Sequence, residues 1–208
     1  MSHFGFSRRE VLFLGLAAGA SASQAPFWDT RPAADWSPSE LYQVLNHSPW
    51  AKPVRGFWPP AYQLPDLAPI HRGDFPSAPA TARPAPDGIV TWESSLAIRD
   101  AVRTPLPEAF RDCYVLGVDG IPLEGRPLES ARKTALLHLT GRPKRTLHAE
   151  LAGELRRNST VYAFGFPRSG APIQLSDGEI QFTVTFTSWL IEARFALGSM
   201  TYRGQLAV

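Results

Sequence analysis

The sequence contains a single cysteine, Cys113, among 208 residues. One thiol cannot form an intrachain disulfide, and it cannot supply the several thiolates that a cysteine-based zinc or iron–sulfur site needs within one chain. The fold must therefore be stabilised by the burial of apolar side chains. We expect Cys113 itself to be a buried strand residue, because an apolar run extends from it to Val118.

The chain also lacks an excess of charge of either sign. Its 21 lysines and arginines and 19 aspartates and glutamates leave a net charge of +2. The first 22 residues contain two arginines and one glutamate, so the remainder carries a net charge of +1. A surface so close to neutral is a poor match for a phosphate backbone, and we expect no nucleic-acid partner.

No apolar run reaches the roughly 20 residues that a membrane-spanning helix requires. The apolar segment from Val11 to Ala22 has 12 residues and follows the pair Arg8 and Arg9. A charged start, an apolar stretch and an end rich in small residues are typical of a secretory signal, and paired arginines are typical of the twin-arginine type, although Val11 stands where phenylalanine is usual. We predict a signal peptide over residues 1–22, recognised through Arg8 and Arg9 and cleaved after Ala22.

This prediction makes the twin-arginine translocase a partner during export. The mature chain is then expected in the periplasm or outside the cell, without stable insertion into a membrane.

Residues 23–87 are predicted to form an arm rich in proline and aromatic residues. Residues 23–36 are expected to be extended, and one short helix is predicted over 37–47, because Ser37 and Glu40 have the spacing of a capping box. Ten of the 20 prolines lie between Pro49 and Pro86, so little regular structure is expected there. Trp50 and Trp58 are interpreted as packing anchors, with a ligand-stacking platform as the alternative.

Residues 88–208 are predicted to form one α+β domain. Expected strands cover 89–92, 113–118, 147–155 and 161–166, and expected helices cover 94–102 and 127–140. After residue 178, apolar and polar residues alternate, which predicts a three-stranded antiparallel meander. The sequence therefore indicates an antiparallel sheet packed by two or three helices.

The sequence lacks a Gly-x-Ser-x-Gly elbow, a glycine-rich phosphate loop and a His-Glu-x-x-His pair. His71 and Asp74 have a ligand-like spacing without a third ligand nearby, so we expect no metal site and no cofactor. Glu93 with Arg99 is a candidate general base with an anion clamp. The structural alternative has Ser94 capping the helix, Glu93 at its positive end and Arg99 in water. His138 is expected near the end of the second helix.

Three parts of the sequence carry a resemblance: Trp36–Glu40 leading to Ser48–Lys52, Trp92–Ser95, and Phe195–Gly204. Together they resemble an uncharacterised family of exported proteins of acidobacteria. The resemblance implies export and a single domain. It implies no activity and no functional residue.

Two functions remain open at this stage. The first is a non-catalytic binding or interaction module of the cell envelope, with an envelope protein or polymer as its partner, because the many aromatic residues outnumber the convergent polar ones. The second is an extracytoplasmic enzyme, such as a hydrolase, whose site is assembled only in the fold. Convergence of five residues in one pocket would favour the enzyme: Glu93, Asp112, Asp119, His138 and His148.

Overall fold

The computed structural model describes residues 25–57, 85–123, 125, 128–156, 159–170, 172–186 and 189–208. The predicted signal, with Arg8, Arg9 and the cleavage point after Ala22, lies outside these residues. Trp58, His71 and Asp74 also lie outside them.

The N-terminal described segment is mostly helical. It contains α1 (Phe27–Thr30), a 3-10 turn (Ala33–Asp35) and α2 (Pro38–Asn46), so the extended conformation predicted up to residue 36 is wrong for most of this part. The capping box is confirmed. The Ser37 hydroxyl oxygen accepts a hydrogen bond from the backbone N–H of Glu40, and the Glu40 carboxylate accepts one from the N–H of Ser37 at 2.9 Å.

Strands make up most of the remaining described chain, and two further helices interrupt them. The helices are α3 (Leu96–Val102) and α4 (Leu128–Arg132). The strands are β1 (Ala51–Arg55), β2 (Asp87–Trp92), β3 (Cys113–Asp119), β4 (Leu136–Leu139), β5 (Arg145–His148), β6 (Leu151–Arg156), β7 (Thr160–Pro167), β8 (Glu179–Phe186), β9 (Trp189–Ala196), β10 (Thr201–Tyr202) and β11 (Gln205–Leu206).

The strands form two main sheets, and each pairing among the described residues is antiparallel. The larger sheet has the order β1-β2-β3-β7-β6, the smaller one has the order β5-β4-β8-β9, and β10 and β11 form a separate ribbon. This confirms the mixed class with antiparallel sheets. A bridge between Phe57 and Leu190 connects the chain just after β1 to strand β9 of the smaller sheet.

The main core lies between the inner faces of the two sheets. Alternate residues of each strand point into it, as the period of two requires. The larger sheet contributes Val90, Trp92, Leu116, Val118, Phe164 and Phe166, and the smaller sheet contributes Leu137, Ile180, Phe182, Val184, Phe186, Ile191 and Phe195. Helices α2 and α3 bury Val44, Ala97 and Ile98 in the same core.

Strand β1 lies inside the segment that the prolines marked as irregular, so that expectation is wrong for residues 51–55. The strand is at the edge of the larger sheet, with Pro53 opposite Ile89 of β2. Proline lacks an N–H donor, and an edge strand leaves half of its backbone groups without a ladder partner, so proline is tolerated there.

The predicted helix over 127–140 is wrong beyond its first turn. Helix α4 ends at Arg132, and Leu136–Leu139 is strand β4. Leu137 and Leu139 are buried on one side of the strand, and Leu137 pairs with Phe182 of β8. The apolar residues of this segment fit a continuous helix and also a short helix followed by a strand, and pairing with β8 decides between the two.

The predicted strand over 147–155 is two strands in different sheets. Strand β5 ends at His148 in the smaller sheet, and β6 begins at Leu151 in the larger one. The buried residue Ala149 lies at the crossing between the sheets. Apolar periodicity within one segment does not report such a change of sheet.

The hairpin of β8 and β9 is confirmed, but the third strand of the predicted meander does not join it. After β9, the 3-10 turn Leu197–Ser199 redirects the chain, and β10 pairs only with β11 among the described residues. Its Tyr202 is instead inserted into a cluster of aromatic rings from the N-terminal segment.

This aromatic cluster joins the two ends of the described chain. The rings of Trp36 and Trp50 meet Tyr202 edge to face at 6.3 and 6.2 Å, and Trp28 meets Trp50 at 5.7 Å. The indole N–H of Trp50 donates to the Ala207 carbonyl at 2.8 Å. Trp50 is therefore a packing anchor, as predicted.

Tyr202 also forms a polar contact that depends on pH. Its ring is 2% exposed, and its hydroxyl donates to Asp100 at 2.8 Å. Burial, this hydrogen bond and the charge of Asp100 raise the pKa of Tyr202 from 10.0 to about 12. Between these two values the unfolded chain loses the phenolic proton first, so the free energy of unfolding falls as pH rises through this window. Below the window the stabilisation by this group is complete and does not change with pH.

We expect Tyr202→Phe to lower the free energy of unfolding by about 1 kcal/mol near neutral pH, because the ring still packs but the hydrogen bond is lost. The variant should also lose stability less steeply than the parent between pH 10 and 12. Urea unfolding across this range measures both effects. Tyr162→Phe is the matched control, since that hydroxyl has no partner among the described residues; an equal loss in both variants would contradict the assignment.

Candidate functional site

The larger sheet has an outer face, opposite the main core, that is built largely from small residues. We define the outer face by the odd-numbered residues of β3 and β7, which include Val115, Gly117, Ala163 and Gly165. Ala163 is paired with both Gly117 and Gly153 of neighbouring strands. Few side chains rise from this surface, so another segment can lie close to the backbone of the sheet.

The segment between α3 and β3, residues 103–112, lies over this face, and we call it the cover. Leu106 and Phe110 pack there with Cys113 and Val115 in a second, smaller core. A Cβ atom added at Gly165 would lie 2.9 Å from the ring of Phe110, which shows how closely the ring approaches the sheet. The cover is short, so open clefts remain beside it.

We call the cleft between α3, the cover and strand β6 the central cleft. It has a volume of about 140 Å³, and Glu93, Arg99, Leu106 and Leu155 are among its lining residues. Glu93 is only 2% exposed and lies against Gly117, where an added Cβ would be 2.7 Å from Oε1. The structure therefore brings Glu93 and Arg99 to one cleft, as the sequence hypothesis required.

The residue that caps α3 is not the serine that the sequence suggested. Ser95, not Ser94, caps α3, since its hydroxyl accepts from the N–H of Ile98 at 3.2 Å. The Ser94 hydroxyl accepts from the N–H of Val115 at 3.0 Å and so joins the loop to β3. Because Ser95 is the cap, Glu93 precedes the helix, and its side chain lies on the outer face against Gly117.

The arginine cleft lies at the Cys113 end of the outer face. It has a volume of about 240 Å³, and its polar lining includes Ser94, Arg99, Arg111 and Arg168. Arg111 is paired with Glu108 at 2.5 Å. Arg99 lines both this cleft and the central cleft, so the two are neighbours.

Arg168 is held in place by three contacts of its guanidinium group. Its Nε donates to the Cys113 carbonyl at 3.1 Å, and its Nη2 donates to Val208 O at 2.9 Å. The guanidinium lies 4.3 Å from the centre of the Tyr114 ring. Burial lowers the pKa of Arg168, and the interactions with Tyr114 and Cys113 partly oppose this shift.

Cys113 lies at the wall of the arginine cleft, but it is not poised to react. It is 7% exposed, as expected for a strand residue that contacts the smaller core. Burial raises the pKa of its thiol, and the carboxylates of Glu150 and Asp112 raise it further. A neutral thiol is a weak nucleophile, so this residue has the properties of a structural cysteine.

The distal cleft lies at the opposite, Asp119 end of the same face. Its volume is about 170 Å³, and Asn46, Thr91, Asp119 and Ser159 provide its polar groups. The Ser159 hydroxyl donates to Asp119 at 2.6 Å. Leu155 of the central cleft is paired with Val161 of the distal cleft, so these two clefts lie side by side across the strands, and the arginine cleft lies at the other end of the outer face.

The other candidate residues do not converge on Glu93. His138 is on strand β4 of the smaller sheet, not in a helix, and its Nδ1 is 3.0 Å from the Thr146 hydroxyl. His148 ends β5 in the same sheet. Asp112 and Asp119 lie at opposite ends of β3.

Within the described ranges, no group of three or more histidine, cysteine, aspartate or glutamate residues could hold a metal ion. Of the helices that the structure describes, none is long and apolar enough to cross a membrane.

Comparison with protein families, characterised proteins and solved structures finds no match to this chain. Sequence reasoning found Glu93 and Arg99 because they are close in sequence, but it missed Arg111 and Arg168. The contact of Arg168 with Cys113 spans 55 residues, and only the pairing of β3 with β7 creates it.

We expect Gly117→Ala to destabilise the protein by about 1–3 kcal/mol, because overpacking displaces buried neighbours. The added methyl group would lie 2.5 Å from Val161 Cγ1 and 2.7 Å from Glu93 Oε1. Urea unfolding measures the change. Gly198→Ala is the control, since no atom lies within 4 Å of a Cβ at that position; equal stability of both variants would refute the close approach of Glu93 to the sheet.

Proposed function

We propose that this chain is an exported, non-catalytic binding module of the cell envelope whose ligand lies along the outer face of the larger sheet. One observation carries the proposal: three clefts share this face, while the candidate acids and histidines are distributed over both sheets. Several open clefts on one face suit an extended ligand, and we propose an envelope polymer as the partner.

The composition of the clefts supports binding. Apolar walls such as Leu106 and Leu155 alternate with cations and hydroxyl groups, so both the body and the polar substituents of a ligand find contacts. Such mixed surfaces are typical of recognition sites.

The central cleft offers less support for a hydrolase. Beside Glu93 it contains Glu154, whose side chain is 47% exposed and lies 3.9 Å from the Arg156 guanidinium. Its described lining has no serine, cysteine or histidine, which leaves Glu93, Glu154 and the exposed Thr104 hydroxyl as the groups that could act on a substrate, without an imidazole to carry a proton. These properties favour the binding module over the extracytoplasmic enzyme.

The export part of the proposal is supported by sequence alone. Arg8, Arg9 and the short apolar segment that follows have the pattern of a twin-arginine signal. The resemblance to exported proteins of acidobacteria points the same way. The proposal places the mature chain in the periplasm or outside the cell.

Replacement of Arg8 and Arg9 by lysine should retain the full-length chain in the cytoplasm of a bacterium that has the twin-arginine translocase, because the translocase recognises the arginine pair. The parent chain should be found in the periplasmic fraction without residues 1–22. Fractionation with mass spectrometry measures both, and Arg55→Lys is the control. A parent chain that stays intact and dissolved in the cytosol would overturn the proposed export.

Binding is tested by co-sedimentation of the purified chain with insoluble cell-wall peptidoglycan. Thr104 is exposed and lines the central cleft, so the larger side chain in Thr104→Trp should fill this cleft. We expect binding to weaken roughly tenfold, which corresponds to about 1.4 kcal/mol. Thr183→Trp places the same bulk on the smaller sheet and should leave binding unchanged. If the parent does not sediment, or if both variants bind equally well, the proposed use of the outer face fails.

A further inference from the structure

The arginine cleft differs from the other two in its balance of charge. Three guanidinium groups line it, from Arg99, Arg111 and Arg168, against the single carboxylate of Glu108. That carboxylate is bound to Arg111. Asp112 comes just before β3 but is not part of the lining. The cleft therefore presents a net positive charge to whatever enters it.

Arg99 contributes a charge without an acidic partner in the described part of the chain. The ion pairs there leave it out, although its neighbour Asp100 is engaged by Tyr202 and lies 3.5 Å from Arg203. Its side chain is exposed and lies where the central and arginine clefts meet. The backbone of Arg99 is held in helix α3, so less conformational freedom is lost on binding than for a residue in a loop.

Arg168 contributes a second cation whose orientation is fixed. Two of its nitrogens, Nε and Nη2, are used by the oxygens of Cys113 and Val208. Nη1 has no acceptor among the described residues and remains available for a ligand. A guanidinium held by its own contacts loses little side-chain freedom when it binds an anion.

The two cations are close enough to affect one another. Burial has the largest effect on the pKa of Arg168 and lowers it; Tyr114 and Cys113 raise it, and the charge of Arg99, a smaller cause, lowers it. Like charges held together in this way destabilise each other, and an anion between them would remove the repulsion.

Ser94 adds a neutral donor beside the cations. Its oxygen accepts from the N–H of Val115 at 3.0 Å, and its own hydrogen has no acceptor among the described residues. Leu106 and Phe110 form apolar walls, which reduce screening by water and strengthen a charged hydrogen bond. The volume of about 240 Å³ is ample, since one water needs only about 10–15 Å³.

We propose that the arginine cleft binds an oxyanion group of the ligand, a carboxylate or a phosphoryl group, between Arg99, Arg168 and the Ser94 hydroxyl. The planar guanidinium donors match the geometry of both groups. The inference deepens the proposed function and rests on it, because it gives one cleft of the binding face its chemical specificity. The central and distal clefts then bind other parts of the same ligand.

The test is a titration of the ¹⁵N-labelled full-length chain with inorganic phosphate and, separately, with acetate, followed by NMR at low ionic strength. We expect saturable shifts confined to the amides around Ser94, Cys113 and Arg168. Tighter binding of phosphate identifies a phosphoryl group as the natural ligand group, and tighter binding of acetate identifies a carboxylate. Shifts that do not saturate with either anion would overturn the proposal.

The variant Arg99→Gln should weaken anion binding about tenfold through loss of one charged contact. Because this side chain is exposed, the fold should be preserved, and the unchanged spectrum of distant residues checks this. Arg55→Gln is the matched control, since Arg55 pairs across from Asp87 at the Asp119 end of the sheet. Equal affinity of Arg99→Gln and the parent would overturn the assignment.

The two proposals can fail separately. If the parent sediments with peptidoglycan but no anion binds, the proposed binding function is supported and the proposed oxyanion site is overturned. If anions bind in the cleft but the chain does not sediment, the oxyanion site is supported and the proposed envelope function is overturned.

Discussion

The close approach of the cover segment to the glycine-rich outer face is the constraint on which the site depends. Small residues such as Gly117 and Gly165 leave the backbone of the larger sheet open, and Phe110 fills the space directly above Gly165. Larger side chains there would lift the cover away and open the smaller core to water. Because the cover is short, it closes only part of the face, and the clefts are what remains beside it.

The same constraint sets the electrostatics of the face. Glu93 lies against Gly117 and is buried, whereas Arg99, in helix α3, is exposed to solvent. Arg168 comes from the opposite side, fixed by the carbonyl of Cys113 and the ring of Tyr114. Arg99 lines the central cleft together with Glu93, and it also lines the arginine cleft, where Arg111 and Arg168 join it. The carboxylate and the cations therefore share this face, and the excess of cations lies at its Cys113 end.

Some parts of the fold could be predicted from local patterns because local forces decide them. The capping box at Ser37 and Glu40, the buried strand from Cys113 and the hairpin of β8 and β9 are of this kind. The region from Leu128 to Leu139 could not, since its apolar spacing suits both a helix and a helix followed by a strand. Pairing with β8, about 40 residues later, selects the strand. Strand β1 could not be predicted for a similar reason: its proline is acceptable because the strand lies at the edge of the larger sheet, and the local sequence does not show this position.

By itself, the sequence determined the mixed class, the alternating strands, the capped helix and the proximity of Glu93 to Arg99, because each depends on residues a few positions apart. Only the tertiary structure decided that Arg168 joins Arg99, that Ser95 rather than Ser94 caps α3, and that Tyr202 enters the N-terminal aromatic cluster. These contacts cross between strands or between the ends of the chain. Their partners are chosen by burial and pairing of the whole sheet, which no local window contains.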